Sequence, residues 1–196
     1  MRDQRISAIL LAAGESRRMG TLKQLLTFRG KTFVETCVDN LLASEIAEVI
    51  VVTGHRDDEV ARAVGNRQVR YAHNDNYRSG MASSIKSGIR AVSSDCKACI
   101  VALVDQPQIG PDVVNTVIEN YQSPSLIVIP TYNGKKGHPI LLDLKLRDEI
   151  LQMDDNEGLR QVVHAHQAET SFLELSNGAI LEDCDFPEDY ERLLKV

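Results

Sequence analysis

Residues 10–23 combine side-chain types that suit the binding of a polyphosphate. They read L-L-A-A-G-E-S-R-R-M-G-T-L-K, an apolar run that leads into a loop with glycines and three cationic side chains. Glycine lets backbone N–H groups approach phosphate oxygens closely, and Arg and Lys neutralise their charge. The spacing fits neither a P-loop nor a G-x-G-x-x-G dinucleotide fingerprint. We therefore predict a nucleotide site built on a different loop.

The position of this loop favours a ligand site over its alternative, a surface turn with solvated arginines. Residues 6–12 are nearly all apolar, as expected of a parallel strand that is buried on both faces. Open α/β sheets bind ligands beyond the carboxyl ends of their strands. The loop begins at such an end.

Aspartates at two places in the chain are candidate metal ligands. Asp105 follows the apolar run 98–104, at the point where a strand leaves the sheet, and Asp183 and Asp185 lie near the carboxyl terminus. A lone aspartate is more often a helix cap or part of a solvated turn. Beside a phosphate loop it becomes a candidate ligand, because Mg²⁺ is held by one or two carboxylates together with substrate phosphates.

Three further groups of polar residues are candidates for substrate contact. Residues 80–84, G-M-A-S-S, begin a predicted helix, where free N–H groups and hydroxyls can contact a ribose or a base. His138 lies between glycine and proline, and Lys135, Lys136 and Arg160 are cations that an anionic second substrate would meet. Taken singly, each of these side chains is as well explained by a turn or a solvated surface.

No serine–histidine–acid or cysteine–histidine arrangement stands out in the sequence. Phosphoryl and nucleotidyl transfer need mainly in-line positioning and charge neutralisation. A site of glycines, cations and one or two metal-binding carboxylates suffices for such a reaction.

Apolar runs and helical stripes alternate along the chain, and this order predicts the fold. Strands are expected at 6–12, 48–53, 69–72, 98–104, 126–129, 140–142 and 171–175, and helices at 32–43, 57–64, 81–92, 111–121, 144–152, 158–166 and 187–194. The β-α alternation predicts a three-layer α/β/α fold around a mostly parallel, Rossmann-like sheet. Residues 133–137 have hairpin chemistry, so we expect a small β extension after Pro130, over the nucleotide edge.

Length and composition favour one domain, residues 1–196, in the cytoplasm. The chain is 43% hydrophobic, with a net charge of −6 that disfavours nucleic acid as a partner. It has no apolar run long enough for a membrane span and no signal peptide at its amino end, so we expect no membrane association. The four cysteines are expected to be reduced core thiols, including the C-x-x-C pair Cys96 and Cys99.

Five segments together resemble the molybdenum cofactor cytidylyltransferase group of the MobA-like nucleotidyltransferases. They are L-A-A-G-E-S-R-R-M-G-T-L-K-Q-L-L, G-M-A-S-S-I-K-S-G-I, L-V-D-Q-P, G-H-P-I-L and D-C-D-F-P-E-D-Y, and they follow the family's order over nearly the whole chain. The resemblance implies a fold of the nucleotide-diphospho-sugar transferase type. It also implies Mg²⁺-dependent transfer of CMP from CTP to the phosphate of molybdopterin, or of its molybdenum form, with release of pyrophosphate.

The resemblance implies two groups of nucleotide-binding residues. One group would lie near the base and ribose and the other would hold the triphosphate: Ala12, Ala13, Gly14, Gly80 and Ser84 in the first, Arg18 and Lys23 in the second. The Leu-Ala-Ala-Gly opening resembles cytidylyltransferases, whereas guanylyltransferase relatives more often have Leu-Ala-Gly-Gly. The extra β-carbon of Ala13 would crowd a purine, which favours CTP over GTP.

The resemblance also implies that Asp105 and Asp185 bind the metal. Lys23 and Arg18 would stabilise negative charge during transfer, and the acceptor phosphate, already ionised near neutral pH, would need no general base. The family's D-x-D-T-P-E-D ending has threonine where this chain has Phe186. The candidate contacts to the acceptor are those suggested by the sequence, namely His138, Lys135 and Arg160.

Two alternatives remain open. The first keeps the reaction but uses another phosphorylated acceptor, or GTP. The second is a non-catalytic accessory protein that binds the cofactor and inserts it into a molybdenum hydroxylase such as xanthine dehydrogenase. The joint presence of Lys23, Asp105 and Asp185 favours an enzyme, because a pure carrier has less need of a triphosphate and metal site.

Overall fold

The computed structural model describes residues 5–195 of the 196-residue chain. The strands are β1 (Ile6–Leu11), β2 (Thr27–Phe28), β3 (Lys31–Thr32), β4 (Glu48–Thr53), β5 (Arg70–His73), β6 (Ala98–Leu103), β7 (Ile127–Tyr132), β8 (Lys135–Lys136), β9 (Ile140–Asp143) and β10 (Thr170–Glu174). The α-helices are α1 (Phe33–Leu42), α2 (Asp57–Val64), α3 (Met81–Ala91), α4 (Pro111–Glu119), α5 (Arg147–Gln152), α6 (Leu159–Ala165) and α7 (Pro187–Leu193). Every strand and helix expected from the sequence is present, with boundaries within about two or three residues.

The central sheet has the strand order β10-β7-β9-β6-β1-β4-β5. The pairs β1–β4, β1–β6, β4–β5 and β7–β10 are parallel, whereas β9 is antiparallel to both β6 and β7. The expected mostly parallel, Rossmann-like sheet is confirmed. All the parallel strands end at one edge, and β9 begins there, so residues after β1 and β6 and before β9 meet at the same edge.

The region after Pro130 differs from the expectation in one respect. Only β8 forms a hairpin extension, paired with the end of β7, whereas β9 lies inside the central sheet. Leu141 and Leu142 of β9 are both fully buried although they face opposite sides of the sheet. A strand buried on both faces needs covering layers on both sides, and the centre of the sheet provides them.

Helices cover both faces of the sheet. Alternate residues of β1 enter two core clusters, with Ala8 and Leu10 in one and Ile9 and Leu11 in the other. Side chains from α1, α2, α4 and α7 join the first cluster, and those from α3, α5 and α6 join the second. Gly88 of α3 packs so closely on β1 that a β-carbon there would lie 2.3 Å from Ile9 Cγ2. This is the predicted three-layer arrangement.

The cysteines of the chain are free thiols in the core, as predicted. Burial raises the pKa of the Cys99 thiol to about 12, so this group is an inert packing residue at neutral pH. Within residues 5–195, no helix has the length and apolar character needed to cross a membrane.

Candidate active site

The loop that follows β1 is held in place by one buried side chain, Gln24. Its Nε2 donates to the carbonyl oxygens of Ala12 and Gly14, at 2.9 Å each. Its Oε1 accepts a hydrogen bond from Ser16 Oγ at 3.2 Å, and Ser16 Oγ in turn accepts one from the backbone N–H of Lys23 at 3.0 Å. Both ends of the loop are therefore tied to the same amide, and Lys23 begins a single 3₁₀ turn beneath it.

Lys23 brings together the two aspartates that were singled out from the sequence. Its Nζ donates to Asp105 Oδ2 and to Asp185 Oδ1, the latter at 2.9 Å. The Lys23 and Asp105 side chains are only 15% and 13% exposed. Burial alone favours the neutral amine, but the two carboxylates outweigh it and raise the pKa of Lys23. The ammonium ion is thus a fixed positive charge.

The carboxyl-terminal segment carries Asp185 to this place through backbone contacts. The N–H of Cys184 donates to the carbonyl of Asp105 at 3.2 Å, which joins the two aspartate-bearing segments directly. Asp189 at the start of α7 accepts hydrogen bonds from the N–H groups of Asp185 and Phe186. This cap holds the turn that presents the Asp185 side chain.

Arg18 reaches the same carboxylate from the loop. Its Nη1 lies 3.0 Å from Asp185 Oδ2, and its guanidinium stands 5.6 Å from the centre of the Phe186 ring. The phenylalanine that replaces the family's usual threonine is therefore a platform for Arg18. Of the two cations, Arg18 is the accessible one, with 66% of its side chain exposed.

The second oxygen of Asp105 is suited to a metal ion. Oδ1 is buried and lacks a hydrogen-bond partner, which is costly for a carboxylate unless a cation approaches it. Burial and the nearby Asp105 raise the pKa of the Asp183 carboxyl group, so this group ionises less readily than an ordinary aspartate. Within the described part of the chain, no three acidic, histidine or cysteine side chains are arranged to hold a metal by themselves. The residues fit an ion held by two carboxylates and completed by phosphates.

A cleft opens beside these charges. It has a volume of about 300 Å³ and is lined by Gly14, Glu15, Ser16, Arg17, Arg18, Lys23, Tyr77, Arg78 and Asp185. Hydrogen bonds from Arg78 and Arg17 lower the pKa of Glu15, so this carboxylate is ionised and ties the loop to residues 77–79. A β-carbon at Gly14 would meet no protein atom within 4 Å, so the cleft reaches the loop backbone.

Residues 8–170 match the family model described as the MobA-like NTP transferase domain. The chain belongs to this family. The predicted family resemblance is confirmed, and the match includes the loop, Lys23 and Asp105 but ends before Asp185.

Several relatives of this MobA-like domain cover nearly its whole length. A molybdenum cofactor cytidylyltransferase of Escherichia coli K12 is 28% identical, over 94% of this chain and 93% of its own. A nicotine blue oxidoreductase of Paenarthrobacter nicotinovorans is 29% identical, over 96% of each chain. The structure of a nucleotidyl transferase from Methanothermobacter thermautotroptrophicus is 26% identical, with a TM-score of 0.85 over 97% of this chain and 96% of that one.

The residues expected near the base and ribose occupy different environments in the MobA-like domain. Gly14 is exposed in the cleft and Gly80 is exposed at the start of α3, whereas Ser84 is buried with its hydroxyl bonded to Asn74 Nδ2. Ala12 and Ala13 pack into opposite core clusters, and Ala13 is only 3% exposed. The β-carbon of Ala13 therefore faces the core, and the expectation that it would crowd a purine is wrong.

The three candidate acceptor residues do not all line the same groove. His138 and Arg160 line a groove on the α6 side of the sheet together with Ile129, Lys136, Ile140, Leu159, Val163, His164, Gln167 and Phe172. Lys135 is exposed but is not among these residues, because neighbouring residues of a strand point to opposite faces. Lys136 takes its place, with Nζ 5.0 Å from the centre of the Phe172 ring.

Several side chains that shape the candidate site were not singled out from the sequence. Gln24 holds the loop, Asn74 holds the hydroxyls of Ser83 and Ser84 at 2.8 and 3.0 Å, and Arg78 anchors Glu15. Asn74 follows β5 at the carboxyl edge, so the rule that located the Gly14 loop applies to it as well. Nothing in the local sequence marks Gln24, since its role depends on carbonyls ten and twelve residues away.

Proposed function

We propose that this MobA-like nucleotidyltransferase transfers CMP from CTP to the phosphate group of molybdopterin or its molybdenum form and releases pyrophosphate. The observation that carries the proposal is the position of Lys23, a buried ammonium between two carboxylates at the rim of a cleft with an exposed glycine backbone. Such a site combines positive charge, close backbone approach and metal-binding oxygens, which are the three requirements of transfer from a triphosphate.

Each residue of the site has a part in the proposed reaction. Lys23 and Arg18 neutralise the triphosphate and stabilise the charge that develops as pyrophosphate leaves. Gln24 keeps the carbonyls of Ala12 and Gly14 turned inward, which leaves the other face of the loop to the nucleotide. Asp105 and Asp185 would hold Mg²⁺, which when bound acts as a Lewis acid towards phosphoryl oxygens. The ionised acceptor phosphate is itself the nucleophile, so no protein base is required.

The groove around His138 is the proposed site for the acceptor. Lys136 and Arg160 make it cationic, and Ile129, Ile140 and Phe172 give it an apolar wall. Phe172 is 46% exposed, so a flat heterocycle can stack on its ring while the phosphate lies near the cations. Burial lowers the pKa of His138, although the charge of Asp105 opposes this, and the neutral ring can donate and accept hydrogen bonds.

The preference for CTP has a narrower basis. It rests on the relative named a molybdenum cofactor cytidylyltransferase, because the steric role first expected of Ala13 does not apply. GTP therefore enters the test as an equal competitor.

Pyrophosphate release measures this function directly. The protein is incubated with Mg²⁺ and molybdopterin and with each of the four nucleoside triphosphates in turn, and pyrophosphate is quantified against a reaction without acceptor. We expect acceptor-dependent release with CTP. Release with GTP alone would replace the nucleotide but keep the reaction. Tight binding of molybdopterin without consumption of any nucleotide would instead support the accessory protein.

A further inference from the structure

We propose that Lys23 acts as an internal counter-ion that blocks the metal position until a nucleotide arrives. The inference rests on the proposed nucleotide transfer at this site and adds an order of events to it. Lys23 would exclude free divalent cations from Asp105 and Asp185, and the metal would bind tightly only together with the triphosphate that draws Lys23 away.

The hydrogen bonds of the two carboxylates carry the argument. Asp105 Oδ2 and Asp185 Oδ1 both contact Lys23 Nζ, and Asp185 Oδ2 contacts Arg18. Three of the four carboxylate oxygens are thus paired with cationic side chains. The fourth, Asp105 Oδ1, is buried without a partner. The two oxygens that converge on one point, Asp105 Oδ2 and Asp185 Oδ1, are those that the ammonium of Lys23 bridges, so a metal ion shared through them has to take its place.

Arg18 and Lys23 are not equivalent in this respect. Arg18 is mostly exposed and touches one oxygen at the rim, so it can move into solvent and leave the space between the aspartates unchanged. Lys23 is mostly buried, and its ammonium bridges both carboxylates. If Lys23 moved away from the carboxylates without gaining a new anionic partner, its ammonium would be an unpaired charge in a mostly buried position, which is costly.

A triphosphate supplies that partner. Gly14, Ser16 and Arg18 line the cleft together with Lys23, so phosphate oxygens bound there lie within the same cavity as its ammonium. Lys23 can then exchange carboxylates for phosphate, and the two aspartates are released for the metal. Binding of the metal and of the nucleotide is therefore positively coupled, and the coupling is reciprocal.

Binding of Mn²⁺, measured by electron paramagnetic resonance, tests this without any turnover. We expect Lys23→Met to bind free Mn²⁺ at least about 10-fold more tightly than the wild type, because the ammonium that competes with the metal for both carboxylates is then absent. Arg18→Met is the matched control, since it also removes one positive charge from Asp185, and its affinity should change by less than about threefold. Lys23→Arg should keep the block.

Two further measurements show where the Mn²⁺ ion binds and whether a nucleotide releases the block. Asp105→Asn introduced into Lys23→Met should abolish the gain, which locates the bound ion at the aspartate pair. A non-hydrolysable α,β-methylene analogue of CTP, with Mn²⁺ bound by the analogue in solution subtracted, should raise the Mn²⁺ affinity of the wild type by a larger factor than that of Lys23→Met, because only the wild type has a block to release. Thermal melting verifies that each variant is folded, and Lys23→Gln serves in place of Lys23→Met if the latter is not.

The inference is overturned if Lys23→Met, or Lys23→Gln in its place, binds free Mn²⁺ no better than the wild type. An equal gain in Arg18→Met would also overturn it, because the effect would then be one of overall charge. These outcomes are separate from the proposed function: wild-type release of pyrophosphate from CTP would leave that function standing in either case. If Lys23→Met binds Mn²⁺ more tightly but the wild type transfers no nucleotide, the blocking role of Lys23 stands and the proposed function is wrong.

Discussion

Replacing Gly14 by alanine should separate activity from stability. A β-carbon at Gly14 meets no protein atom within 4 Å, and the residue is not among those with positive φ. The folded chain can therefore accept the methyl group without strain. Loss of backbone freedom in the unfolded state should stabilise the protein by about 0.4–1 kcal/mol, which for a chain of this size raises Tm by up to about 4 °C.

The same methyl group enters the space that we assign to the nucleotide. Overpacking by one methyl group costs about 1–3 kcal/mol in a close-fitting site, and 1.4 kcal/mol corresponds to a factor of ten. We therefore expect kcat/KM for CTP to fall by about 5- to 150-fold, measured as pyrophosphate release at subsaturating CTP. The variant should therefore lose kcat/KM for CTP, while its Tm stays the same or rises.

Gly30→Ala provides a matched control with the opposite signature. Gly30 also has open space around its β-carbon, but it lies in the turn between β2 and β3, outside the cleft, with φ at +84°. Alanine there costs about 1–2 kcal/mol of stability, and kcat/KM should stay within twofold of the wild-type value. If Gly14→Ala were as active as the wild type at unchanged Tm, no nucleotide would approach this loop and the assignment of the cleft would fail.

Three other predictions concern side chains around the cleft and groove. Lys23→Ala should reduce the rate of pyrophosphate release by at least about 10²-fold, the usual effect of removing one preorganised charge; an unchanged rate would remove Lys23 from the mechanism. Gln24→Leu leaves the buried carbonyl oxygen of Ala12 and the half-buried carbonyl oxygen of Gly14 without their donor, and should lower the free energy of unfolding by about 1–3 kcal/mol in denaturant titrations, together with activity; normal stability would mean that the loop needs no such anchor. His138 should titrate below pH 6.5 in NMR spectra, and Asp105→Asn should lower its pKa further. Because its folded pKa is depressed, the wild type should lose stability relative to His138→Gln as the pH falls below 6.5, and a pKa above 6.5 would contradict the burial argument.

The sheet was predictable because parallel strands buried on both faces are continuous apolar runs, and β1, β4 and β6 have this character. The position of β9 inside the central sheet was not predictable, because hairpin residues precede it and hairpin chemistry suggests pairing with a neighbour in sequence. Its pairing with β6 is a long-range contact that no local pattern records.

In the candidate site too, residue types were predictable from the sequence, whereas features that depend on long-range contacts were not. Lys23 and Asp105 were singled out from residue type and from the loop and the strand end that carry them, and the family resemblance selected Asp185 over Asp183, although their contact depends on the tertiary fold. The directions of the Ala13 and Lys135 side chains were not predictable from residue type. A shift of one residue reverses that direction in an extended segment, and the register is set by strand pairing instead of composition.

Transfer of labelled CMP tests the central claim most directly. The protein is incubated with Mg²⁺, molybdopterin and CTP labelled at the α-phosphate, and the label in the product is counted for the wild type, for Asp105→Asn and for Asp112→Asn. Asp112 is an exposed aspartate at the start of α4 that does not line the cleft, so this variant removes the same charge outside the candidate site. We predict transfer by the wild type and by Asp112→Asn, and at least a 10²-fold loss, to order of magnitude, in Asp105→Asn. Equal transfer by Asp105→Asn in a folded protein would contradict the account.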